Sequence, residues 1–100
     1  MPLTPSAVDP LSYWPEAEYR LNYWLAWHPH CPKDYVKPVI KAVYEDSTIE
    51  TCTYSPDDRV ITVNPAVVSG CMAHEVGHAA LHQAGNGCWK IYEHDLARAP

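Results

Sequence analysis

The feature that most constrains this chain is a run of sixteen residues, Ser69 to Ala84, that is almost free of charge. It contains one acidic side chain, Glu75, and no lysine or arginine. Gly85 follows it, and glycine is typical of the position just beyond a helix C-terminus. Because a helix that is apolar on all sides is stable only when buried, we expect the rest of the chain to pack around this one.

Length and composition predict one globular domain spanning residues 1–100. A hydrophobic content of 47% can form a modest core at this size. The formal charge is −5, and lysine and arginine form no cluster, which argues against binding to a phosphate backbone. We therefore expect protein or peptide partners and no nucleic acid; the sequence does not indicate an oligomeric state.

The compartment predicted from the sequence is the cytoplasm. No segment approaches the ~20 apolar residues that cross a bilayer, and the first residues, MPLTPSAVDPLSYWP, lack the pattern of a signal peptide. The four cysteines are widely spread and include no CxxC pair. A cytosolic compartment would keep them reduced, so they are expected to act as small buried hydrophobes. In an exported chain, four cysteines would allow three pairings. These cysteines are Cys31, Cys52, Cys71 and Cys88.

Periodicity and proline positions predict the elements of the first half of the chain. Residues 1–15 contain four prolines and are expected to form an irregular arm. Apolar residues at helical spacing predict a helix from Glu16 to Trp27. A second helix is predicted from about Asp34 to Val43, with Pro38 inside its first turn.

The second half is predicted to contain a hairpin and two more helices. β-Branched and aromatic residues between Thr48 and Asn64 flank a turn at Ser55–Asp58. After the central helix, Gly85, Asn86 and Gly87 connect to a helix over 89–99. The predicted fold is α+β, with N-terminal helices and a short antiparallel sheet covering the central helix.

The central helix contains the motif H-E-x-x-H, as His74-Glu75-Val76-Gly77-His78. Two histidines one helical turn apart face the same side and can share one Zn²⁺, although the sequence does not distinguish Zn²⁺ from Mn²⁺. Burying them costs several kcal/mol unless a metal or hydrogen bonds satisfy them, so a hydrogen-bonded polar cluster is the alternative. The motif predicts a metal centre inside the protein.

Other residues of this region are assigned roles by their positions. Glu75 lies about 100° around the helix from His74, where it can act as the general base that accepts a proton from water. His82 lies too far along the helix to share the metal with both histidines, so it is expected near the ligands or at the pocket rim, or as a plain surface histidine. Tyr54 is a candidate donor to a tetrahedral oxyanion. The reaction class predicted is peptide hydrolysis by a zinc metalloendopeptidase.

Glu93 is the predicted third ligand. A helix returning antiparallel from Cys88 would bring its carboxylate to within about 3 Å of the level of His78. His94 and Asp95 are the alternative ligands, and Glu93 could instead be a solvent-exposed glutamate that binds no metal.

The segment VITVNPAVVSGCMAHEVGHAALH resembles the strand, asparagine-containing turn and helix of the ImmA/IrrE-type zinc metallopeptidases, which are gluzincin-like. The resemblance spans about Val60 to Ala99, with Glu93-His94-Asp95-Leu96-Ala97 similar to the family's E-A-N-x-F-A segment. It implies a small zincin-like domain, a zinc site of His74, His78 and Glu93, and Glu75 as base. It also implies a repressor-type regulatory substrate and a phage or mobile-element origin. Asp95 stands where the family has asparagine, and residues 1–47 match no motif of the family.

Three further features are open to two interpretations. His28, His30 and Cys31 are loop residues by default or part of a structural zinc site. The strand RVITVN could pair with an extended substrate along a free edge. The rival to a peptidase is a zinc-stabilised binding module, or an inhibitor with a vestigial site, in which exposed aromatic residues recruit a partner. The aromatic residues, which could equally pack in the core, are Tyr13, Trp14, Tyr19, Tyr23, Trp24 and Trp27.

Overall fold

The computed structural model of the chain describes residues 4–5, 8–66, 68–85 and 88. Over these residues it is an α+β domain in which one helix packs between a second helix and one sheet. None of the helices in this part of the chain has the length and hydropathy that a bilayer-spanning helix needs. The elements are β1 (Thr4–Pro5), a 3-10 helix (Pro10–Tyr13), α1 (Trp14–Ala26), β2 (Ala42–Glu45), β3 (Cys52–Ser55), β4 (Val60–Val63) and α2 (Val68–Gln83).

The sheet has the strand order β1-β2-β4-β3. β3 and β4 form the predicted antiparallel hairpin, in which Cys52 lies opposite Val63. β2 pairs with β4 in parallel, so the sheet is mixed and the expectation of an antiparallel sheet is wrong for this pair. β4 lies between β2 and β3, so it is an interior strand and β3 is an edge strand of the sheet.

The N-terminal arm is more regular than its prolines predicted. Thr4–Pro5 pairs with β2 at the outer edge of the sheet, where a proline is tolerated because it needs no ladder partner for an N–H. The Asp9 side chain caps the 3-10 helix, which runs directly into α1. Pro15 lies in the first turn of α1, where its missing N–H costs no hydrogen bond.

The helix predicted from about Asp34 to Val43 is wrong. Residues 32–41 have no regular secondary structure, and the chain then enters β2 at Ala42. Val36 and Val39, which would form the apolar stripe of that helix, are each 62% exposed. A helix here would bury little apolar surface. That burial would not offset the backbone hydrogen bond lost at Pro38 or the conformational entropy lost in forming the helix.

The buried central helix is confirmed. α2 packs against α1 on one side and against β3 and β4 on the other. Gly85 ends it as predicted, with φ +77° and its N–H donating to the carbonyl of His82 at 3.0 Å. The buried residues that α2 shares with α1 are Leu21, Trp24, Leu25, Ala80 and Leu81, and those it shares with the sheet are Val43, Ile61, Val63, Met72, Ala73 and Val76.

The expectation of reduced cysteines is wrong in this structure, which contains two disulfides. Cys31 is bonded to Cys88 with Cα atoms 6.1 Å apart, and Cys52 to Cys71 with Cα atoms 5.8 Å apart. Cys31 and Cys52 are buried, as expected of small hydrophobes. The fold brings each pair within the Cα separation of a disulfide, which widely spaced positions in a sequence do not reveal.

The predicted C-terminal helix over 89–99, together with Glu93, His94 and Asp95, lies outside the described residues, as do Asn86 and Gly87 of the predicted connection.

Candidate metal centre

His74 and His78 converge on one point beside α2. Their Nε2 atoms are 3.0 Å apart, their ring centroids 4.7 Å apart, and their ring planes 76° from parallel. The arrangement follows from helical spacing, since residues four apart lie one above the other on the same face. Two imidazoles that present the same nitrogen to a common point form a bidentate site.

The separation of the two nitrogens fits a zinc ion. Zn–N bonds of about 2.05 Å at tetrahedral angles place two ligand nitrogens about 3.3 Å apart. The observed separation is 3.0 Å. A small rotation of either ring, which moves its Nε2 atom by a few tenths of an ångström, would bring the two nitrogens to the separation that zinc requires. Without a metal, one neutral ring donates Nε2–H to the other, so metal binding requires that ring to carry its proton on Nδ1 instead.

Glu75 lies beside the two histidines. Its carboxylate and the two imidazoles offer ligand atoms that all lie within 4.8 Å of one another. This separation allows one water molecule to bridge the carboxylate and a metal-held position, because each hydrogen bond spans about 2.8 Å. Glu75 is 6% exposed and His78 is 5% exposed, so the acidic group and one ligand are both shielded from bulk water.

Burial strengthens the electrostatics of this group. A carboxylate among apolar side chains is costly in its charged form, and a nearby cation offsets that cost. The surrounding α2 residues Met72, Val76 and Ala79 are fully buried. A divalent cation between the imidazoles would therefore interact with Glu75 through a medium that screens charge less than water does.

The edge strand β3 borders the same face of α2. Cys52 of β3 is bonded to Cys71, and the ring of Tyr54 contacts the ring of His82 edge-on, with centroids 6.0 Å apart. At about 100° per residue, Cys71, His74, His78 and His82 fall within an arc of about 80° around the helix. β3 therefore lies alongside the face of α2 that carries the two histidines, with one contact before His74 and one after His78.

Tyr54 is positioned by a residue that the sequence analysis missed. Gln83 donates from Nε2 to the Tyr54 hydroxyl at 3.3 Å and to the carbonyl of Val39 at 2.9 Å. Its Oε1 accepts the N–H of Val39 at 3.0 Å. Gln83 thus holds an extended segment and the edge strand at the end of α2. Its partner Val39 is 44 residues away, and a glutamine at the end of a helix gives no local signal of such a contact.

The predicted free edge on RVITVN is wrong, because β4 is paired on both sides. Among the described strands, β3 lies at one edge of the sheet and β1 at the opposite one. Asn64 donates its N–H to the carbonyl of Thr51 at 3.1 Å, which fixes the alternation of the ladder between the two strands. Antiparallel pairing alternates, so Thr53 and Ser55 face β4, and the backbone groups of Cys52 and Tyr54 face outward.

The structure describes the chain up to the start of the predicted third-ligand segment. Cys88 packs against the cluster that contains Ala80 and Leu81 of α2. These residues follow His78 by less than one helical turn, about 4.5 Å along the axis. The assignment of Glu93 as a ligand stays a prediction.

Two features of the sequence remain: the aromatic cluster and the group of His28, His30 and Cys31. Among the six aromatic residues, Trp24 is buried at 2% exposure, whereas Tyr19 and Trp27 are 64% and 72% exposed. His30 and Cys31 lie near Cys88, and the three offer ligand atoms within 4.8 Å of one another. The aromatic cluster is therefore partly core and partly surface, and the loop histidines have a cysteine from a distant segment beside them.

No family model, curated protein or solved structure matches this chain. The similarity to ImmA/IrrE-type peptidases therefore stays an expectation from the sequence.

Proposed function

We propose that this chain is a zinc metalloendopeptidase of the HExxH type that hydrolyses a peptide bond in a protein substrate. The observation that carries the proposal is the convergence of His74 and His78, with Nε2 atoms 3.0 Å apart, beside the buried carboxylate of Glu75. A polar cluster with a purely structural role would need no acidic group beside two nitrogens that are aimed at one point.

The residues divide into ligands and a base. His74 and His78 would hold the ion together with Glu93. A zinc ion bound there supplies a Lewis acid that lowers the pKa of water and polarises a carbonyl. Glu75 accepts the proton of the attacking water and delivers it to the leaving nitrogen, which is the role that its position beside the histidines allows.

The position of Cys88 supports Glu93 as the third ligand. Cys88 packs near Ala80 and Leu81, so the chain beyond it starts close to the level of His78. Five further residues span about 7.5 Å as a helix and about twice that when extended. Both spans exceed the ~4.5 Å along the α2 axis that separates His78 from Leu81, beside which Cys88 packs.

The edge of β3 is the proposed substrate site. An extended peptide can hydrogen-bond to the outward backbone groups of Tyr54, and this strand runs along the face of α2 that carries the histidines. The Tyr54 hydroxyl, which accepts a hydrogen bond from Gln83, keeps its own proton to donate to a carbonyl oxygen of the substrate. His82 packs against the Tyr54 ring and so helps to position it.

The geometry of the site does not bear on the substrate's identity, the origin of the protein or its compartment. A regulatory protein as substrate and a phage or mobile-element source are implied by the family resemblance alone. A cytoplasmic location would keep the cysteines reduced, whereas two disulfides are more typical of an oxidising compartment.

The conservative variant Glu75→Gln tests the proposal. The zinc-loaded protein and the variant are each incubated with a library of proteome-derived peptides, and new termini are identified by mass spectrometry. The wild type is expected to generate new termini, and the variant to keep its zinc and its melting temperature but lose turnover by about 100-fold or more. No cleavage by the zinc-loaded wild type, or equal cleavage by both proteins, would contradict the proposal.

A zinc-stabilised binding module is the second candidate, and one surface favours it. Tyr19 and Tyr23 of α1 and Trp27, which follows its last residue, are spaced four residues apart and are 64%, 39% and 72% exposed, so they form an aromatic stripe. Exposed tyrosine and tryptophan are typical of interface hot spots. Under this reading, Glu75→Gln changes neither zinc content nor partner binding, whereas Trp27→Ala weakens binding.

A further inference from the structure

Two distant segments bring three metal-binding side chains together outside the HExxH helix. His30 and Cys31 lie in the turn after α1, and Cys88 follows α2. One ligand atom from each lies within 4.8 Å of the other two. We propose that reduction of the Cys31–Cys88 disulfide converts this cluster into a second zinc site, with two thiolates and the imidazole of His30 as ligands.

The backbone needs little change to form this site. A disulfide holds its sulfurs about 2.0 Å apart, whereas two thiolates on one tetrahedral zinc ion are about 3.8 Å apart. The Cα atoms of Cys31 and Cys88 are 6.1 Å apart, so rotation of the two side chains can supply the extra separation. The two protein forms therefore share one backbone arrangement at this point.

The turn that carries His30 and Cys31 is already ordered by the backbone. Cys31 donates its N–H to the carbonyl of His28 at 2.9 Å, and His28 donates its N–H to the carbonyl of Leu25 at 3.1 Å. Cys31 is 3% exposed and packs in the same cluster as Leu25, while His30 is exposed and leaves the site open to an ion from solvent. Ligands held in place before binding lose less conformational freedom when the metal arrives.

The other disulfide provides an internal contrast. Cys52 and Cys71 are also close, with Cα atoms 5.8 Å apart. Within the described part of the chain, no histidine or acidic residue completes a three-ligand group with them. The proposal therefore assigns the site to one cysteine pair and not to the other.

The conversion has two balanced steps. A phosphine reductant gives two electrons to the S–S bond, takes an oxygen atom from water to become a phosphine oxide, and leaves the two water protons on the sulfurs of Cys31 and Cys88. Zn²⁺ then displaces both thiol protons to form two Zn–S bonds, and His30 adds a neutral nitrogen. In a cell, a dithiol that is oxidised to its own disulfide supplies the same two electrons and two protons.

The consequence is a cross-link that persists in either redox state. In an oxidising compartment a covalent bond joins the turn after α1 to the segment after α2. In a reducing compartment a zinc ion joins the same two segments, and its binding energy contributes to folding.

Cobalt substitution tests the proposal, because Co²⁺ bound by thiolates shows a sulfur-to-metal charge-transfer band that nitrogen and oxygen ligands do not give. The test uses the double variant Cys52→Ala/Cys71→Ala, treated with a phosphine and titrated with Co²⁺ and then Zn²⁺. We expect the band to appear, to correspond to one Co²⁺ per chain in addition to any Co²⁺ held by the HExxH centre, and to vanish when Zn²⁺ displaces the cobalt. Adding His30→Ala is expected to weaken the affinity more than about tenfold.

The matched control is Cys31→Ala/Cys88→Ala, which keeps the other pair of thiols. A band of equal strength in this variant would mean non-specific thiol binding and would overturn the proposal, as would no band in the first variant. If reduction unfolds the first variant, Zn²⁺ is expected to restore its circular dichroism spectrum, and failure to do so also overturns the proposal. The HExxH centre contains no sulfur ligand, so the band reports on this site whatever the outcome of the peptidase test.

Discussion

Cys52 of the edge strand β3 is bonded to Cys71 of α2, which precedes His74 by three residues. The bond fixes the start of β3 against the first turns of the helix that carries the candidate metal centre. At the other end of the same strand, Tyr54 contacts His82. The strand and the face of α2 that carries His74 and His78 are therefore held together before and after the two histidines.

Metal content is the first quantity that the site geometry predicts. The oxidised protein is expected to bind one zinc ion per chain, and His78→Ala to lose it, because a single imidazole cannot hold the ion as a pair does. Inductively coupled plasma mass spectrometry after dialysis measures the stoichiometry. Glu93→Ala is expected to lose zinc as well, and full retention would mean that another residue is the third ligand.

His30→Ala is the matched control for this measurement, since His30 lies beside the closed Cys31–Cys88 disulfide in oxidised protein. It is expected to keep its zinc. Equal loss in His30→Ala and His78→Ala would contradict the assignment of the metal to α2.

The free edge of β3 predicts a difference between two substitutions at one position. Tyr54→Ala and Tyr54→Pro both remove the side chain, but only proline removes the outward N–H that a substrate strand would use. Cleavage by Tyr54→Pro is expected to be at least about tenfold slower than by Tyr54→Ala, with kcat/KM measured on one cleaved peptide. Equal rates in the two variants, with similar melting temperatures, would exclude strand pairing at this edge.

The disulfides predict a graded loss of stability. The Cys31–Cys88 bond closes a separation of 57 residues and the Cys52–Cys71 bond one of 19. In the loop-entropy model, removing them costs about 4 and about 3 kcal/mol of the free energy of unfolding. For a domain of this size, the larger loss lowers the melting temperature by roughly 20 °C.

Differential scanning calorimetry of the two double alanine variants, without reductant, checks this order. A larger drop for Cys52→Ala/Cys71→Ala would show that packing around β3, and not loop closure, determines the contribution of each bond.

Gln83 predicts a link between the end of α2 and the chemistry of Tyr54. Gln83→Met removes the hydrogen bonds to Val39 and to the Tyr54 hydroxyl while keeping the length of the side chain. We expect it to lower the free energy of unfolding by about 1–2 kcal/mol and to lower kcat. Tyr54→Phe is expected to lower kcat similarly with the free energy of unfolding nearly unchanged. A normal kcat in Tyr54→Phe would remove Tyr54 from the proposed reaction.

The helices and the hairpin could be predicted because their patterns are local. Ala17, Leu21, Trp24 and Leu25 recur at helical spacing, and all four are buried in α1. Val36, Val39 and Val43 show a similar spacing, yet only Val43 is buried. Local periodicity does not show whether the rest of the fold offers a surface against which the apolar residues can pack. Here the chain after Pro38 leads into the sheet and does not form a helix.

The parts of the fold that could not be predicted depend on contacts between distant residues. β2 is a four-residue strand whose place beside β4 is set by tertiary pairing, as is the short β1. For the site, the positions of His74, Glu75 and His78 followed from helical geometry, because all three belong to one helix. The contact of Tyr54 with His82, and the clamp that Gln83 forms, require the folded arrangement of β3 against α2.

The long cross-link between Cys31 and Cys88 encloses β2, β3, β4, the hairpin turn and the whole of α2. A backbone cut anywhere between Cys31 and Cys88 would leave the two fragments joined by the disulfide. Nicked protein would then migrate as intact on a non-reducing gel and separate into two pieces only after reduction. Proteolytic cleavage would therefore not be detected without reduction, and the covalently joined fragments could stay folded together.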